Sequence, residues 1–220
     1  MPVLRLPSLP AANSKQAWGN LPGAALSLAI AEAATAAKRF TLLLTADSQS
    51  AERLEQELGF FAPELSVLHF PDWETLPYDQ FSPHQDIISQ RIASLYRLPE
   101  LSRGVLVVPI TTALHRLAPT RFLLGTSLVL DVGQKLNVEQ MRTRLESAGY
   151  RCVDTVYEHG EFAVRGALID LFPMGSELPY RIDLFDDEIE TLRTFDAETQ
   201  RSIDKVESIR LLPAREFSLV

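Results

Sequence analysis

The chain has 220 residues, 46% hydrophobic and 23% charged, which excludes collagen, a coiled-coil rod and wholesale disorder. A single core rarely grows past roughly 250–300 residues, so one large domain or two small ones are expected. Lys and Arg number 21 against 29 Asp and Glu, and a net charge of −8 argues against sequence-independent DNA binding, which needs a basic surface.

Residues 1–12 hold one Arg and three prolines and lack the basic-then-apolar order of a signal peptide. The Ala- and Leu-rich stretch 24–38 predicts a helix. The mostly apolar run 40–45 predicts a strand buried on both faces. Asp47 or Ser48 caps the next helix, which runs to Leu58 with Gly59 as its stop. A strand is expected over 65–70 and a helix over 85–98, with Ile88, Ile92, Leu95 and Tyr96 on one stripe. Gly104 precedes a third buried strand, 105–108. Strands separated by helices imply a parallel sheet with right-handed crossovers. The segment 70–83, with three prolines and four aromatics, reads as a rigid loop closing over the sheet in preference to a binding loop.

The second half differs. Asn137, with Gln140 at the reciprocal capping position, starts a helix to Ala148, and Gly149 ends it. Val138, Met141, Leu145 and Ala148 form its apolar face. Strand signals follow closely over 153–157, 162–172, 180–185, 188–195 and 206–211, and short connections mean antiparallel pairing. A domain boundary is therefore expected near 119–125. The end at Val220 carries no stop signal, so a fragment of a longer chain is expected. No apolar run reaches the ~18 residues of a membrane span, so no membrane partner is expected.

The chemistry-bearing residues are sparse. A phosphate loop needs a Lys and a Ser/Thr after its last glycine, at the mouth of a helix. Gly23 stands in the right place, but Ala24 and Ala25 follow it, so nucleotide hydrolysis is not expected. His69, His84, His115 and His159 are far apart and show no metal-ligand spacing, so structural roles and no metal site are expected. The single cysteine, Cys152, excludes an internal disulfide and fits a reducing cytoplasm. It reads as a buried, inert thiol.

Alternation over 180–185 puts Tyr180, Ile182 and Leu184 on a core face and Arg181, Asp183 and Phe185 on the other. Asp186 and Asp187 make a turn, and Glu188 and Glu190 add an acidic edge. An Arg in register with an aromatic on an outer face is the composition of an interface hot spot. Periodicity alone leaves a second reading equal to it. In that reading Phe185 packs under a neighbouring element and Arg181 pairs with the acids of 186–190.

The stretches 165–173 (Arg-Gly-Ala-Leu-Ile-Asp-Leu-Phe-Pro) and 180–190 (Tyr-Arg-Ile-Asp-Leu-Phe-Asp-Asp-Glu-Ile-Glu) resemble the UvrA-binding domain of UvrB. The same module occurs in bacterial transcription-repair coupling factors. Two features favour that second family: the stretch 72–88, beginning Asp-Trp-Glu-Thr-Leu-Pro-Tyr-Asp, and the defunct phosphate loop. The resemblance spans about 21–213.

The resemblance implies an α/β plus α+β fold: a degenerate helicase-like parallel-sheet domain, then a small, mostly antiparallel α+β domain. The corresponding bounds are an extension at 1–20, the helicase-like domain at 21–122, the UvrA-binding domain at 123–213 and the start of a truncated continuation at 214–220. It further implies a cytoplasmic module that docks UvrA, with contacts at Arg165, Arg181 and Phe185. The full-length family member displaces RNA polymerase stalled at DNA damage with an ATP-driven motor acting on double-stranded DNA. A carboxy-terminal domain of the same protein masks the docking surface. ATP and Mg²⁺ would belong to that motor, so this fragment is expected to need no cofactor and to be no enzyme. The alternative is a fragment of a UvrB-like, nucleotide-dependent nucleic-acid remodelling enzyme. The lost Lys and the missing Tyr-rich hairpin between Tyr78 and Gln85 oppose it.

Overall fold

The computed structural model describes residues 11, 13–37, 39–75 and 80–217. In chain order the first elements are α1 (Ala25–Ala37), β1 (Phe40–Thr45), α2 (Ser48–Phe61), β2 (Val67–His69), α3 (Gln85–Arg97), β3 (Gly104–Pro109), α4 (Ile110–Ala113) and α5 (Thr120–Thr126). There follow β4 (Leu128–Asp131), α6 (Val138–Ser147), β5 (Arg151–Cys152), β6 (Glu161–Arg165), β7 (Leu168–Leu171), β8 (Tyr180–Phe185), β9 (Glu188–Phe195), β10 (Ser202–Val206) and β11 (Ser208–Leu211). The fold is α/β plus α+β.

Two compact units result. One runs to Asp72 and resumes over Arg97–His115; the other takes Trp73–Tyr96 and Arg116 onward. This differs from the single cut expected near 119–125, with domains at 21–122 and 123–213. The physical reason lies in α3. Its Ser89 hydroxyl oxygen accepts the Gly175 N–H at 2.8 Å, and its Asp86 meets His159 Nδ1 at 2.7 Å. Trp73 and α3 therefore belong with the antiparallel unit, not with a loop over the parallel sheet. The residues 76–79 of that loop lie outside the described residues, as do most of the extension at 1–20 and residues 218–220.

The first unit is a parallel three-stranded sheet in the order β1-β3-β2. Central β3 is buried at every position, as its uninterrupted apolar sequence predicts. Helices α1 and α2 cover one face, where Ile30, Ala34, Leu54 and Leu58 meet Val105 and Val107. Edge strand β1 corrects the expectation of double burial: Leu43 faces that core, but Leu42 and Leu44 are 54% and 49% exposed. Asp47 caps α2 by accepting the Ser50 N–H at 2.7 Å. Gly59 does not stop α2, which continues to Phe61 and closes where the Ala62 N–H reaches the Leu58 carbonyl. Gly104 sits at φ +131°, and a Cβ there would stand 2.6 Å from the Ser66 carbonyl oxygen.

The second unit holds a six-stranded sheet in the order β10-β9-β8-β7-β6-β5, antiparallel except for the β5–β6 pair, and a β11–β4 ribbon. Asn137 caps α6 through the Gln140 N–H, and Met141 and Leu145 are buried. Three expected strands are redrawn. The run 162–172 is two strands joined at Gly166, whose φ of +64° makes the turn. The run 206–211 divides into β10 and β11. The run 153–157 is not a strand. There the Glu161 carboxylate accepts the N–H groups of Tyr157 and Glu158 at 2.8 and 2.9 Å, replacing ladder partners. Arg91 on α3 is fully buried and donates from Nε and Nη2 to Glu216, the second bond at 3.2 Å. Trp73 donates its indole N–H to the same carboxylate at 3.1 Å, and the Arg91 guanidinium lies 4.7 Å from the Trp73 ring centre.

Candidate functional site

The strand β8 has the alternation that its sequence predicts: Ile182 and Leu184 are buried, and Arg181, Asp183 and Phe185 point to the other face. Phe185 is 74% exposed, so it does not pack under a neighbouring element. It ends the strand just before Asp186, whose φ of +59° begins the turn into β9.

Register decides what surrounds Arg181. Asp170 on β7 lies opposite it on one side and Arg193 on β9 on the other. Arg181 sets a planar fork on Asp170: Nε–H donates to Oδ1 at 2.8 Å and Nη2–H to Oδ2 at 2.9 Å. Its Nη1–H donates to the Gln200 carbonyl at 3.2 Å, and its guanidinium carbon sits 4.8 Å from the centre of the buried Phe195 ring. The hydrogen bonds to Asp170 raise the pKa of Arg181 above its ordinary value.

Arg165, at the end of β6, donates Nη2–H to the same Asp170 oxygen, so two guanidiniums share one carboxylate. Asp170 itself is 1% exposed. Of the two cations Arg165 is the more open, at 47% against 16% for Arg181. The acids of 186–190, the expected alternative partners, do not pair with Arg181. Asp187 instead meets Lys135 at 3.1 Å. Next along the face, Asp183 accepts the Thr191 hydroxyl at 2.7 Å and faces Arg193 at 3.7 Å.

The structure thus brings Arg165 and Arg181 together through Asp170, a residue the sequence reading did not single out. Its signal was present: one acid inside the apolar run 168–172, two strands' worth of alternation away from an Arg. Phe185 lies on the same face, about 13 Å along β8 from Arg181 by strand rise.

The other candidates carry less chemistry. Gly23, at φ +55°, turns the chain into α1, and Ala24 and Ala25 stand at its mouth. Two methyl groups supply neither a charge for the β/γ-phosphates nor a hydroxyl for Mg²⁺, so these residues do not fit a nucleoside triphosphate. A cleft of about 610 Å³ in the first unit is lined by Thr35, Glu64, Ser66 and Arg103. It lies before β2 and β3, the edge opposite to the carboxyl ends where open α/β sheets take ligands. Cys152 corrects an expectation: it is exposed, because β5 is a two-residue edge strand. Among the described residues no group of three or more His, Cys, Asp or Glu could hold a metal ion. No helix among them is long and apolar enough to cross a membrane.

Residues 128–217 match the family described as the UvrB interaction domain, and this part of the chain carries the whole Arg165–Asp170–Arg181–Phe185 face. The wider chain has a more particular likeness. It is 53% identical over 206 residues to the transcription-repair-coupling factor of Escherichia coli strain K12, covering 94% of this chain and 18% of that protein. It is 49% identical to the same factor of Haemophilus influenzae over 93% of the chain, and 30% identical to that of Bacillus subtilis over 92%. The chain spans 17–18% of the length of these relatives. The resemblance read from two motifs therefore holds along nearly the whole sequence.

Proposed function

We propose that the chain is a UvrA-docking module of transcription-repair coupling, which recruits nucleotide-excision repair to RNA polymerase stalled at damaged DNA. The observation that carries this reading is Phe185, an aromatic side chain 74% exposed on the same sheet face as two guanidiniums. Aromatic and Arg side chains are the ones enriched at interface hot spots, and Arg presents paired donors to carboxylates. The match of residues 128–217 to an interaction-domain family supports it further.

In this reading Arg165, Arg181 and Phe185 contact UvrA, with Phe185 as the desolvated centre and the guanidiniums as its polar rim. The chain acts by binding and has no catalytic step. Ala24 and Ala25 leave it without nucleotide chemistry, so ATP and Mg²⁺ serve only a motor elsewhere in the full-length protein. RNA polymerase, double-stranded DNA and a carboxy-terminal domain that covers this face are partners of that full-length protein, in the cytoplasm.

The test is size-exclusion chromatography of the purified chain mixed with purified UvrA at micromolar concentration. Co-elution is expected. Separate elution of the two proteins would contradict the reading.

A further inference from the structure

We propose that Asp170 is the positioning residue of this docking face. It touches no partner atom; it fixes Arg165 and Arg181 as a preformed pair of guanidiniums for an acidic patch on UvrA. The inference rests on the docking reading above and adds to it a residue with a distinct role.

Asp170 sits between Ile169 and Leu171, both fully buried, and is itself 1% exposed. A carboxylate in such a place is costly unless its oxygens are bonded. Both are: Oδ1 accepts from Arg181, and Oδ2 from Arg181 and Arg165. Arg181 is then held on three sides, by Asp170, by the Gln200 carbonyl and by the Phe195 ring. Arg165 is held by one terminal nitrogen while nearly half its side chain remains exposed. An Arg has five N–H donors, so Arg165 keeps donors for a partner's carboxylate. One buried anion also lets two cations stand side by side and leaves one positive charge in excess, which favours an acidic partner surface. Ordering both side chains before association removes an entropy loss that binding would otherwise carry.

The experiment is a double-mutant cycle read by calorimetric titration with UvrA: parent, Asp170→Asn, Arg181→Ala and the double variant, with Phe185→Ala alongside. The amide keeps the shape of Asp170 but turns an NH₂ against a guanidinium, so one fork loses its acceptor. Asp170→Asn should weaken binding by about tenfold, the scale of a charged hydrogen bond. Arg181→Ala should then cost less in the Asn background than in the parent. Parental or tighter binding by Asp170→Asn, or strictly additive losses, overturns the positioning role. Melting curves accompany every variant. Should Asp170→Asn not fold, Arg181→Lys decides, because lysine keeps the charge and lacks the planar fork that Asp170 holds; parental affinity there overturns the proposal. If Arg181→Ala and Phe185→Ala both bind normally, the docking reading fails and this inference falls with it. Losses in those two beside a normal Asp170→Asn sink the positioning role alone.

Discussion

Asp170 on β7 and Arg181 on β8 stand directly opposite each other, joined by hydrogen bonds of 2.8 and 2.9 Å at a carboxylate that solvent barely reaches. That pair makes the outer face of the sheet a fixed structure. Its neighbours differ in kind along one strand: Leu184 points into the core while Phe185, the next residue, stands in solvent.

The contrast between those two residues is measurable in the isolated chain. Leu184→Ala should lose about 2–5 kcal/mol through a core cavity. Phe185→Ala should stay within about 0.5 kcal/mol, as exposed positions do. Urea unfolding of both variants checks this, and a reversed order would invert the face assignment.

The Arg91–Glu216 pair is sealed from solvent on both sides. Removing one partner leaves an uncompensated buried charge, so Glu216→Gln should destabilise the chain by about 3–5 kcal/mol. The double change Arg91→Met with Glu216→Leu should cost much less, because neither charge is then stranded. Denaturation midpoints of the three proteins distinguish the outcomes.

Burial alone would raise the pKa of Glu161, but the N–H groups of Tyr157 and Glu158 and the Arg151 guanidinium, 2.5 Å away, outweigh it and hold the carboxyl below its ordinary value. A lowered folded-state pKa contributes stability that is present above the unfolded value of about 4.3 and lost as pH falls through the folded one. Glu161→Gln should therefore be less stable than the parent at pH 7, with the gap narrowing in acid. An equal gap at pH 7 and at the acid end would refute the role given to Glu161.

How much was legible follows from which forces were local. The strands 180–185 and 188–195 and the faces of the first were legible, because alternation over 180–185 and an Asp-Asp turn fix them; the faces of the second were not, since its pairing shifts register between Asp183 and Leu184. The run 153–157 was misread because its β-rich composition is overruled by a carboxylate from Glu161, a contact no local pattern announces. Gly59 looked like a helix stop, yet a helix tolerates one glycine when the following turn still bonds. The edge position of β1, and with it the exposure of Leu42, depends on strand order, which periodicity does not encode. In the site, Arg181 and Phe185 were visible from period and composition. Asp170 was not, since its meaning comes from a cross-strand register joining residues eleven apart.

Gly104 tests the parallel unit. A Cβ there would meet the Ser66 carbonyl at 2.6 Å, at a backbone angle that side chains rarely adopt. Gly104→Ala should cost more than about 1 kcal/mol. A thermal melt equal to the parent's would show that the β2–β3 approach is looser than described.

Loss of both phosphate-loop side chains leads to a prediction about nucleotide. A fluorescent ATP analogue at micromolar concentration should show no saturable binding to the chain. Saturation that ATP reverses would restore the enzyme reading.

The most direct measurement of the docking claim is the affinity of UvrA for the parent chain, Arg181→Ala and Phe185→Ala, titrated under one salt condition. Truncating an interface anchor typically costs about 2–4 kcal/mol, so each variant should bind roughly thirty- to a thousandfold more weakly. Phe185→Ala should melt like the parent, and Arg181→Ala should stay folded but melt lower, because buried Asp170 then keeps only its bond to Arg165. Affinities equal to the parent's in both variants, with their folds intact, would contradict the assignment of this face to UvrA.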